Sequence, residues 1–119
     1  RLPQTRIVIN DMESTLSVTD FKEHPVTQSI DSVDFVGCSI NITGEGFPLA
    51  WSTVRVKNGS FYQYENRCVI AGLTGQDGAR LVCSGSNYFV DNWALSGRYS
   101  TDDNDNLVRQ IVLWLIGII

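Results

Sequence analysis

Cysteine, proline, histidine and methionine are all scarce in these 119 residues, with three Cys, three Pro, one His and one Met. So few cysteines exclude a disulfide-dense miniprotein, and so few prolines exclude collagen-like or proline-rich disordered chains. Charge is thin as well. Nine Lys and Arg against thirteen Asp and Glu leave a net charge of −4. That balance argues against nucleic acid as a partner, because a general affinity for phosphate backbones needs clustered cations. Long apolar runs are missing too: the longest, at 111–119, falls far short of the roughly 20 residues that span a bilayer. One histidine and no C-x-x-C give little with which to hold a metal, and no cofactor is expected. No repeat or low-complexity tract is present.

What remains is 43% hydrophobic and 10% aromatic, enough for one domain, 1–119, with a real core. Arg6-Ile7-Val8-Ile9-Asn10 is a short, largely β-branched run that predicts a strand. Leu16, Val18 and Phe21 nearly alternate before His24-Pro25. The residue ahead of a proline is pushed out of the α region, so His24 ends an element, and 26–30 reads as one helical turn or loop. Residues 33–42 alternate in part and predict a longer strand. Residues 49–57 predict another, followed by Asn58-Gly59, a hairpin signal because both positions tolerate positive φ. Phe61, Tyr62 and Tyr64 then supply the partner strand. Two apolar runs, 67–73 and 79–83, are separated by Thr74-Gly75-Gln76-Asp77-Gly78 and suit central strands covered on both faces.

The end of the chain predicts a helix. Leu107, Ile111, Trp114, Leu115 and Ile118 fall on one helical face, with Asp102, Asp103 and Asp105 at the positive end of its dipole and Gly117 as its stop. The chain opens on Arg1 and closes on an apolar run, so it reads as an excised part of a longer protein. A parent anchored in a membrane just beyond Ile119 would place the domain at that membrane or outside the cytoplasm. Cys68 and Cys83 lie in apolar strand-like runs, and small buried hydrophobes is the plain reading for them and for Cys38. One disulfide with a leftover thiol is the alternative. The triplets beginning at Asn41 and Asn58 are glycosylation sequons only in a secreted context.

The order Ala79-Arg80-Leu81-Val82-Cys83-Ser84-Gly85-Ser86-Asn87-Tyr88-Phe89, then Asp105-Asn106-Leu107, Ile111 and Trp114-Leu115, resembles the last strand–helix unit of the class I glutamine amidotransferase-like superfamily. It is most similar to the non-catalytic branch found in gliding-motility and intraflagellar-transport proteins. His24-Pro25-Val26-Thr27-Gln28-Ser29-Ile30 and Pro48-Leu49-Ala50-Trp51-Ser52 resemble upstream phrases of that branch. The resemblance runs over roughly 16–117. It implies an α/β, flavodoxin-like (amidotransferase-like) sandwich: a mixed, mostly parallel sheet with an added antiparallel hairpin and a C-terminal helix. It also implies that this chain is the C-terminal part of a larger domain. The catalytic relatives carry a G-x-C-x-G nucleophile turn. Neither Gly37-Cys38-Ser39-Ile40 nor Cys83-Ser84-Gly85-Ser86 fits it, and no catalytic residue is carried over.

Four groups of residues invite chemistry. Gly85, Ser86 and Asn87 would lie beyond the carboxyl end of a strand, where open α/β sheets bind ligands on exposed backbone N–H groups; a plain tight turn is the alternative. Asp102, Asp103 and Asp105 begin a calcium-loop pattern, but Leu107 and Leu113 stand where Gly and Glu are needed, so a solvated helix start is expected and no metal site is assigned. His24, the sole histidine, is the one general-base candidate, with Cys38, Cys68 or Cys83 as its thiol. Trp51, Phe61, Tyr62 and Tyr64 suit either a sugar-stacking or peptide-binding surface or cross-strand packing. Together these features favour a non-enzymatic interaction or scaffold module that binds a protein partner or itself. A small-ligand or carbohydrate sensor and a hydrolase or amidase remnant are the alternatives.

Overall fold

A computed structural model describes residues 6–9, 14–15, 18–33, 35, 37–86 and 103–119. Among these residues lie seven strands and one α-helix, in order β1 Arg6–Ile9, β2 Ser14–Thr15, β3 Asp20–Phe21, β4 Ile40–Thr43, β5 Phe47–Asn58, β6 Phe61–Thr74, β7 Arg80–Ser84 and α1 Asn104–Leu115. A 3-10 turn, Pro25–Thr27, sits between β3 and β4. His24 does not end a strand, since β3 stops at Phe21; extended as a residue before proline should be, it opens this turn, and its Nδ1 accepts the Val26 N–H at 3.1 Å.

The sheets overturn the expected flavodoxin-like architecture. Among the described residues every strand pairing is antiparallel: β1 with β4 in one small sheet, and β2-β5-β6-β7 in the other, with β3 also on β5. The cause lies in the connections. A parallel crossover needs a dozen residues or more, whereas β5 and β6 are joined by two residues and β6 and β7 by five. Gly59, at φ +64°, opens the β5–β6 turn. The turn closes on Asn58 and Phe61, so its central pair is Gly59-Ser60, one residue later than predicted, with glycine first as a II′ turn requires. In the β6–β7 turn, Gly75 N–H donates to Ala79 O at 2.7 Å and Asp77 Oδ1 accepts the Ala79 N–H at 3.1 Å.

Two further expectations need correction. Residues 33–42 do not form one strand; Val33 bridges Val18 and only Ile40–Thr43 is regular. Between them, residues 37–39 cross the end of β7, where Cys38 N–H donates to Gly85 O at 3.2 Å. β7 is not a central strand either. Among the described residues it pairs with β6 alone, and Leu81 is exposed.

The core forms where β5 and β6 are irregular. Their register shifts on both sides of the Ala50–Ile70 pair, leaving Leu49 extra on β5 and Val69 extra on β6. Both are fully buried, so the bulges drive additional side chains into the interior. Val18, Val26, Ile30, Val33 and Phe35 meet them from the loops, and α1 covers them with Leu107, Ile111 and Trp114. The helix therefore forms as predicted, but its buried stripe is narrower. Leu115 and Ile118, placed on that face by periodicity, are 41% and 67% exposed; Ile118 lies beyond the turn the chain makes at Gly117 (φ +81°). Arg80 closes this end: its Nη1 donates to Trp114 O at 2.6 Å and Ile119 O at 2.8 Å, and its guanidinium lies 4.9 Å from the Trp114 ring centre. A cation on the last carbonyls complements the helix dipole.

Candidate functional site

The outer half of the β5–β6 hairpin carries the most exposed large apolar side chains of the sheet: Phe61 at 75%, Tyr64 at 65% and Tyr62 at 57%. Arg55 opposes Tyr64 and Lys57 opposes Tyr62, so two cations and two tyrosines share one face. The Arg55 guanidinium lies 4.6 Å from the Tyr62 ring centre, a cation–π contact that turns the charge toward β6. On the other face Arg67 Nε donates to Glu65 Oε2 at 2.7 Å and Arg67 Nη2 contacts the same oxygen. Trp51, expected to join the aromatic cluster, opposes Cys68 and is half-buried. The aromatic group at the tip is thus Phe61, Tyr62 and Tyr64 without it. Arg55, Lys57 and Asn66 belong to the same surface and were not foreseen. Their signal was present in the absence of an apolar period on either face over 61–67, where Gln63, Glu65 and Arg67 alternate with Tyr62, Tyr64 and Asn66.

The remaining candidates fall elsewhere. Gly85 N–H donates to Val69 O at 3.0 Å, and Gly85 O accepts the Cys38 N–H. A Cβ at Gly85 would stand 1.8 Å from Cys38 O, so glycine here answers a close backbone crossing. Ser86 N–H donates to Ser84 Oγ at 3.2 Å, and Ser84 Oγ donates to Ser86 O at 2.7 Å. The Gly85 and Ser86 N–H groups are thus engaged within the chain. Asn87 lies outside the described residues.

His24 sits against Phe47 and Trp114, with ring centres 5.5 and 5.3 Å away. Burial, and then the positive charges of Lys22 and Arg80, lower its pKa. From Arg80 to Cys83 is three residues along β7, about 10 Å of strand, and Cys38 lies past that end beside Gly85. The three cysteines are free and half-buried. Burial pushes the Cys68 thiol up to about 11, and its Sγ lies 3.3 Å from Ile70 O. A thiol in that state is a poor nucleophile at neutral pH. A cleft of about 620 Å3 opens beside His24, lined by Phe21, Lys22, Pro25, Thr27 and Ile30 among others.

The acidic helix start has a structural task. Asp103 Oδ2 accepts the N–H groups of Asp31 at 2.9 Å and Ser32 at 3.4 Å, and Asp103 N–H donates to Ser32 O at 2.9 Å. Asp105 Oδ1 accepts the Asn106 N–H, and Asp102 lies outside the described residues. Among the described residues no three His, Cys, Asp or Glu side chains gather where they could hold a metal ion, and no helix is long and apolar enough to cross a membrane. No family model, curated protein or solved structure matches this chain.

Proposed function

We propose that this chain is a non-enzymatic protein-interaction module whose contacting element is the outer β5–β6 hairpin. The observation that carries the reading is the solvent exposure of Phe61, Tyr62 and Tyr64 together at the outer end of the β5–β6 hairpin. Aromatic side chains beside arginine are what partner surfaces bury most profitably, and here all three stay largely open to solvent.

A photo-crosslinking amino acid at Tyr62, with a matched one at Gln76 in the exposed β6–β7 turn, tests it in the cell that makes the protein. The expected result is protein adducts, to its own copies or to another chain, at position 62 and not at 76. Equal adduct yields at the two positions would overturn the proposal.

A further inference from the structure

The partner is legible in the backbone of the same hairpin arm, and its identification rests on the interaction-module reading. The two-residue turn makes Asn58 and Phe61 a hydrogen-bonded pair. From there Phe61, Gln63, Glu65 and Arg67 direct their N–H and C=O groups at β5, while Tyr62, Tyr64 and Asn66 direct theirs away. β7 pairs with β6 only from Ile70 to Thr74, with Gly85 N–H on Val69 O just before it. Among the described residues no strand pairs with this edge over 61–68, and 61–66 are all exposed. Natural edges are protected by Lys, Pro or a bulge. This one has none of them until Val69. Its only charges, Glu65 and Arg67, already neutralise each other, so a copy meets no net repulsion here although the chain as a whole carries −4.

We infer that the outward edge of β6 pairs antiparallel with the same edge of a second copy, about a two-fold axis at Tyr64. The register is the one that pairs all three outward residues: an axis at Tyr62 or Gln63 sets Asn66 against the partner's turn or past it, and two others are excluded. An axis at Glu65 sets two carboxylates directly opposite at the close, non-hydrogen-bonded spacing, which is destabilising. An axis at Asn66 slides the partner's Gln63 alongside Val69, into the lane Gly85 holds. An axis at Tyr64 avoids both. Tyr64 then exchanges backbone bonds with the partner's Tyr64, and Tyr62 with the partner's Asn66. Glu65 faces the partner's Gln63, and exposed Phe61 is covered by the partner's Arg67. Two arms join into one continuous sheet, β5-β6-β6-β5, an isologous interface.

Light scattering from micromolar to millimolar concentration tests this on the full chain. The native chain should dimerise. Tyr64→Pro, which removes an N–H that β5 does not use, should raise the dissociation constant at least about tenfold with an unchanged circular dichroism spectrum. Should that variant misfold, cysteine cross-linking decides: Tyr64→Cys should give a disulfide-linked dimer mapped to peptides containing residue 64, and Glu65→Cys should not. A native chain monomeric throughout, a folded Tyr64→Pro variant that still dimerises, or preferential linkage at position 65 each overturns the inference. Photo-adducts at Tyr62 to another protein alone would also overturn it, while leaving the interaction module standing.

Discussion

His24 shows how one residue couples the local turn to the core. Its neutral ring accepts the Val26 N–H at Nδ1 and lies against both Phe47 and Trp114, which also meet each other. Protonation would replace that acceptor by a donor and put a positive charge beside Lys22 and Arg80. The folded pKa is lowered, first by burial and then by those two cations, so the unfolded chain binds the proton more readily. Stability is therefore highest above the unfolded value of about 6.5 and falls as pH drops below it. The urea midpoint should decline between pH 7 and pH 5 (both above ordinary carboxylate values), and His24→Asn should flatten the decline. An equal slope in the variant would assign the effect to other groups. The sequence showed that His24 leaves the α region, because the constraint before Pro25 is local, but not that β3 stops earlier, at Phe21. It did not show the ring's partners, since Phe47 and Trp114 come from β5 and α1. Gly85 is similar: its glycine is plain in the sequence, but the crossing of Cys38 that demands it is not.

At the scale of elements, local signals were read well and their covering was not. The 3.6-residue spacing of Leu107, Ile111 and Trp114 predicted α1, and Asn58-Gly59 predicted the β5–β6 hairpin to within a residue. Periodicity could not say that the stripe narrows after Trp114, because that depends on where the chain turns and on Arg80 reaching over from β7. The two ends of the stripe should accordingly differ in energy. Trp114, 4% exposed, contacts His24, Phe47 and Arg80, and Trp114→Ala should cost about 3–5 kcal/mol. Ile118 is 67% exposed, and Ile118→Ala should stay within about 0.5 kcal/mol. Urea denaturation of the two variants measures both, and comparable losses would mean that the apolar tail packs as the wider stripe had implied.

Across the whole molecule, the flavodoxin-like fold class was what the family resemblance implied, and connection length overrules it. The runs at 67–73 and 79–83 look like strands buried on both faces, as parallel strands are, yet five residues between them permit only a hairpin. The resulting sheet has two unlike halves. Around Leu49, Ala50, Val69 and Ile70 it is covered by α1 and the loops, whereas residues 61–66 are exposed throughout. Stability should divide in the same way, since opening free energy follows buried apolar contact and shielding of the ladder. In native-state hydrogen exchange at micromolar concentration, the β5-directed amides of Gln63 and Glu65 should exchange by local opening, about a hundredfold or more faster than those of Ile70 and Gly72. Raising the concentration should slow the outward amides of Tyr62, Tyr64 and Asn66 if two arms join, and leave Ile70 unchanged. Uniform protection along β6 at low concentration would mean that the arm folds with the core as one unit, and that its exposed aromatics are anchored by contacts within the chain.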